Sequence, residues 1–136
     1  YESNDPAYPA FTTKFASSPD LEQWTTLPDA TFGVNRYTAC PNIHYAKDYY
    51  YVLYLERRAP RWFFETYITR SPNLRDWELS AANPVLSPGG ADEGINASDP
   101  DIVEHEGKTR LYYAVGDQRT ASRIRSISAR GTTRCW

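Results

Sequence analysis

The segment Phe15-Ala-Ser-Ser-Pro-Asp-Leu-Glu-Gln-Trp24 returns 53 residues later as Ile68-Thr-Arg-Ser-Pro-Asn-Leu-Arg-Asp-Trp77. A second element recurs at a spacing of 59: Cys40-Pro-Asn-Ile-His-Tyr leads into Tyr49–Glu56, and Asp99-Pro-Asp-Ile-Val-Glu leads into Thr109–Asp117. Moving 59 residues on from Trp77 reaches Trp136, which follows the strand-like run Arg123–Ala129. A chain that repeats itself at this period builds one supersecondary unit several times, and each unit buries its apolar face against its neighbour.

Each unit reads as four short strands. A Pro-led segment comes first (Asn42–Tyr45; Asp101–Glu104), then a Tyr-rich run (Tyr49–Leu55; Thr109–Val115). An alternating segment follows (Phe63–Thr69; Ser122–Ser128, with Thr12–Ser17 as its counterpart near the start), and a short strand begins at each Trp. Ala46-Lys47-Asp48, Glu106-Gly107-Lys108 and the Ser-Pro-Asx turns separate them. In those turns Pro presets φ, while Ser and Asx side chains satisfy nearby amides. No segment keeps a helical period over ten residues. Four strands at about 50 residues is the arithmetic of a β-propeller blade. The expected fold is all-β, with blades of four antiparallel strands. Residues 1–38 end one blade, 39–97 form a full repeat and 98–136 start the next. An immunoglobulin-like sandwich would not return the same four-strand unit and ranks below.

Composition agrees. Eleven Tyr, five Phe and four Trp favour strands and supply flat faces for packing between sheets or for stacking on sugar rings. A charged fraction of 24% is ordinary for a globular domain, and a formal net charge of −2 gives no basic field for a nucleic-acid backbone. No stretch approaches the ~18–20 apolar residues of a membrane-spanning helix, so neither a membrane nor a nucleic acid is expected as partner. Cys40 and Cys135 fall at non-equivalent places in different units and read as free thiols. His44 and His105 lie at different offsets after Pro41 and Pro100, so no metal site and no cofactor are expected. The absence of Met, even at position 1, reads as a processed or excised chain. It leaves either remaining blades or further copies of the chain to close a ring. Asn96-Ala97-Ser98 matches a glycosylation sequon, and a secreted or periplasmic location is the expectation, with the cytoplasm still open.

The Ser-Pro-Asp-Leu-x-x-Trp turn resembles the blades of the five-bladed propeller glycoside hydrolases of families 43 and 32. So does Ser98-Asp99-Pro100-Asp101-Ile102-Val103 followed by Glu106-Gly107-Lys108-Thr109-Arg110-Leu111-Tyr112-Tyr113. The resemblance implies a central pocket into which acidic residues opening the innermost strands project. It implies a carbohydrate substrate and carboxylate acid/base chemistry. By the same resemblance Asp99 matches one of those carboxylates, in an orienting, pKa-setting or transition-state-stabilising role. The equivalent position one unit earlier is Cys40, which cannot do carboxylate work. A non-catalytic carbohydrate-binding propeller is the alternative that this departure favours.

Chain direction places the neighbours. If the innermost strand starts at the pocket and runs away, the next strand returns to it. That puts Asp117, Gln118 and Arg119 near Asp99, and Glu56, Arg57 and Arg58 at the rim, as candidate substrate contacts. Hydrolysis of a glycosidic bond needs a proton donor and a second carboxylate. Glu93, in the loop leading into Asp99, is the candidate partner. Asn4-Asp5-Pro6 matches a family 32 signature in letters alone and belongs to a connecting loop. The cluster Arg57, Arg58, Arg61 has the chemistry to grip acidic sugars such as uronates, with a solvated loop as the plain alternative.

Overall fold

The computed structural model describes residues 1–120 and 122–130, so Cys135 and Trp136 lie outside the described residues. Ten strands are described: β1 Glu2–Ser3, β2 Thr12–Ser17, β3 Thr25–Phe32, β4 Ala39–Ala46, β5 Tyr49–Arg57, β6 Phe64–Ser71, β7 Glu78–Leu79, β8 Asn96–His105, β9 Lys108–Gly116 and β10 Ser122–Arg130. No helix occurs among the described residues. β1, β2 and β3 form an antiparallel sheet; the other strands form one seven-stranded sheet in the order β10-β9-β8-β6-β5-β4 with β7 paired to β6, in which β4 to β7 make a second group and β8 to β10 a third.

The backbone repeats as the letters do. Leu21 and Leu74, 53 residues apart, both take left-handed φ (65° and 62°) inside the Ser-Pro-Asx turns. Asp20 Oδ1 accepts the amides of Glu22 and Gln23, and Asn73 Oδ1 accepts those of Arg75 and Asp76, each within 3.0 Å. Cys40 and Asp99, 59 apart, sit at φ 50° and 51°. Each is a bulge residue: Cys40-Pro41 oppose Tyr54 alone, and Asp99-Pro100 oppose Tyr113 alone. A bulge accommodates Pro, which has no amide to give to a ladder, and it re-aims the residue before it. The innermost strands therefore start earlier than their Pro-led segments predict, at Ala39 and Asn96 rather than Asn42 and Asp101, because pairing resumes on the far side of each bulge.

The core lies between sheets. Phe15, Ala30 and Phe32 of the first sheet pack on Val52, Tyr54 and Tyr67 of the second, with Leu74 and Trp77 closing the edge. β5 is buried from Val52 through Glu56, with no alternation, because neighbouring elements cover both of its faces. A smaller cluster of Ala97, Tyr113, Val115 and Leu86 lies over the third group of strands. One feature departs from separate four-stranded sheets. β6 and β8 pair in parallel at Phe64/Asn96 and Glu65/Ala97, and Thr66 Oγ1 donates to Ala97 O at 2.8 Å. Both strands start at the same end of the molecule, where buried amides and carbonyls must find partners.

Candidate functional site

A cleft of about 410 Å3 opens at the end where the innermost strands start, within the size range of small-molecule sites. Most of its walls are repeat-equivalent positions. Glu2, Leu55 and Ala114 face it from the first, second and third groups of strands, at the 53- and 59-residue spacings of the sequence repeat. Phe11 with Phe64, Tyr37 with Asn96, and Cys40 with Asp99 do the same. Equivalent residues of successive units thus converge on one space, as they must around a shared axis.

Asp99 is on that wall, exposed, with Ser98 Oγ donating to its Oδ2 at 2.5 Å. The bulge explains the placement, since a regular strand would send residues 98 and 99 to opposite faces. Cys40 is half-buried beside it. Burial pushes the Cys40 thiol up to about 12, helped by its hydrogen bond to Asp99 and by the Asp99 and Glu2 charges. The thiol is therefore a neutral donor to a carboxylate. Because the thiolate is the nucleophile, Cys40 should alkylate with iodoacetamide at pH 8 roughly a thousandfold more slowly than an ordinary cysteine. Mass spectrometry of the Cys40 peptide over a time course reads this directly, and labelling at the free-thiol rate would refute the buried, carboxylate-bonded placement.

Glu2 was not anticipated. Its Oε1 accepts the Cys40 amide at 2.5 Å, and it lines the cleft with Asp99, so two carboxylates share the space. Its place follows the repeat in the structure, where pairing of Thr13 with Glu2 matches pairing of Thr66 with Leu55, 53 residues on. No Tyr-rich run surrounds Glu2 to announce a strand.

The other anticipated residues divide. Gln118 is on the cleft, with its Nε2 donating to Asn96 Oδ1 at 3.0 Å. Asp117 caps the turn after β9, accepting the amides of Arg119 and Thr120 at 2.9 Å each, and Arg119 is exposed there. Glu56 is not a rim residue. It is buried, 3% exposed, bonded to the Tyr54 hydroxyl at 3.1 Å and paired with Arg58 at 3.2 Å and Arg36 at 3.7 Å. Arg57 is exposed and bonds the Trp62 carbonyl at 2.9 Å. Asp5 lies in a turn and pairs with Lys14 at 3.4 Å, away from the cleft lining. Asn96 is only 2% exposed, so the sequon is closed to modification in the folded chain.

Glu93 does a different job from the expected pairing with Asp99. Its Oε2 accepts the amides of Gly89 (2.6 Å) and Gly90 (3.0 Å), and Oε1 faces the Tyr113 hydroxyl and Arg125. Asp99 is not among its partners. These amide hydrogen bonds, with Arg125, hold the Glu93 carboxyl below its ordinary 4.5. The carboxylate clamps the loop before β8, where Gly94 (φ 63°) comes so close to Gly116 that a Cβ would meet its carbonyl oxygen at 2.5 Å. A depressed folded pKa contributes stability that is present above the unfolded value and lost as pH falls through the folded one. Glu93→Ala should cost about 1–3 kcal/mol at pH 7, and less at an acid pH far enough below the ordinary carboxylate range to neutralise Glu93 in the parent. Urea midpoints at the two pH values test this; an equal cost at both would refute it.

No family model matches the sequence, and neither does any curated protein. Solved structures do. A "Glycoside hydrolase" superposes with a TM-score of 0.68 at 17% identity, covering 89% of this chain and 37% of that one. The fold is that of the propeller glycoside hydrolases. A complex of BT0996 with RGII matches with a TM-score of 0.69 at 17% identity, over 89% of this chain and 37% of its counterpart. The GH32 β-fructofuranosidase BmSUC1 of Bombyx mori matches with a TM-score of 0.67 at 19% identity, covering 84% of this chain and 25% of that one. The chain thus spans between a quarter and two-fifths of the length of these propeller structures.

Proposed function

We propose that this chain contributes part of a glycoside hydrolase's central pocket, acting on an oligo- or polysaccharide by carboxylate acid/base chemistry. One observation carries the reading. Asp99 lies on a cleft built from equivalent positions of successive units, and the cleft holds a second carboxylate, Glu2. Two carboxylates in one cleft are the minimum for protonating a leaving oxygen while a second group activates water or attacks the sugar. Asp99 takes the orienting or transition-state-stabilising role, with Ser98 and Cys40 holding its oxygens. Gln118 and the rings of Phe11 and Phe64 supply polar and stacking contacts to sugar.

Cys40 at the position equivalent to Asp99 favours a second reading, a non-catalytic carbohydrate-binding propeller. Turnover separates the two. Release of reducing ends from a glycan panel, abolished by Asp99→Asn, supports the hydrolase, whereas sugar binding with no product from any glycan selects the binding module. Absence of both binding and turnover would remove the carbohydrate reading altogether.

A further inference from the structure

Resting on the carbohydrate reading of the cleft, we infer that its Arg57 side recognises an acidic sugar, a uronate-type residue whose carboxylate pairs with the guanidinium. The sequence puts three arginines here, and their surroundings separate them. Arg58 is paired with buried Glu56 at 3.2 Å and Arg61 with buried Glu65 at 2.5 Å. Each therefore already has a carboxylate partner, although Arg58 shares Glu56 with Arg36. Arg57 has no carboxylate partner among the described residues; its Nε bonds a backbone carbonyl, that of Trp62.

Two aromatic rings hold the Arg57 guanidinium, Phe64 with its centroid at 5.0 Å and Trp62 at 5.6 Å. Phe64 is itself a cleft wall, and the Arg57 charge reaches the hydroxyl of Tyr37, another wall residue. Arginine offers a planar fork that matches a carboxylate, and a fork fixed in advance loses little freedom when it binds. Trp62, 53% exposed beside the guanidinium, supplies an apolar ring face for the sugar. Glu2 and Asp99 on the cleft wall repel a carboxylate, whereas Arg57, just outside the lining and against the Phe64 ring, attracts one.

The test is calorimetric titration of the protein with two oligosaccharides of equal length, one ending in a uronic acid and the other its carboxyl-reduced, neutral counterpart. The acidic sugar should bind about 10- to 100-fold more tightly, the range of a charge-assisted hydrogen-bonded pair. That ratio should shrink as salt rises from about 50 to 500 mM. Arg57→Gln should bring the ratio close to one, and Arg57→Lys should keep part of it, because charge remains without the fork. A parent ratio near one, or a ratio unchanged in Arg57→Gln, overturns the inference while leaving the carbohydrate reading in place. Failure of both sugars to bind overturns both.

Discussion

On the proposed hydrolase reading, replacing Asp99 with Asn should lower kcat on a glycan substrate about 10²- to 10⁴-fold, with the folded state unchanged. The magnitude follows from what a carboxylate in such a cleft supplies, whether proton transfer or stabilisation of developing charge. The substitution is clean because of the backbone. Asp99 sits at φ 51°, a conformation that Asn adopts nearly as readily and Ala does not. The single amide oxygen can still accept from Ser98, and the amide N–H group that replaces the other oxygen faces the Cys40 sulfur, a weak acceptor. Because Asp99 is exposed, its neutralisation leaves no buried charge behind. The measurement is kcat with thermal unfolding alongside. Full activity in the variant would remove Asp99 from the chemistry, and a large loss of stability would mean that its carboxylate is structural instead. A fall in kcat with KM preserved places the effect in the transition state rather than in binding.

Asp99 was legible through the resemblance carried by its Asp-Pro strand opening, and the structure adds the physical reason for its placement, a local bulge at each Pro that re-aims the residue before it. The Asx turns are equally local, and their recurrence at Leu21 and Leu74 follows from the letters Ser-Pro-Asx-Leu. What was illegible depends on pairing between distant segments. Glu2 is brought to the cleft by a two-residue strand whose only signature is its register with Thr13. Glu93 looks like a second catalytic acid from its distance along the chain, yet two glycine amides three and four residues before it claim the carboxylate. Glu56 ends a Tyr-rich strand and reads as a rim residue. Arg36, 20 positions earlier, and Arg58 pair with it, and the covered face of β5 buries it.

The repeat also carries two tryptophans that are equal in sequence and unequal in structure, and this difference sets the second large effect. Trp24 is 59% exposed and bonds only within its own turn, to Leu21 O at 3.2 Å. Trp77 crosses to the first sheet. Its indole N–H donates to Thr31 O at 2.9 Å, and its ring stacks on Phe15 at 5.5 Å and tilts against Phe32 at 5.0 Å. One side chain therefore joins the turn after β6 to the face of β2 and β3, at the edge of the principal core. Full burial would put the cost of Trp→Ala at about 3–5 kcal/mol; with Trp77 only partly buried, about 2–4 kcal/mol is expected. Trp77→Phe should cost about 1–2 kcal/mol, since it keeps most of the ring area and leaves the Thr31 carbonyl without its donor. Urea unfolding followed by tryptophan-independent far-ultraviolet circular dichroism measures both. A Trp77→Ala cost below about 1 kcal/mol would mean that the two sheets are not held together at this edge. The inter-sheet core would then have to rest on Phe15, Phe32, Tyr54 and Tyr67 alone.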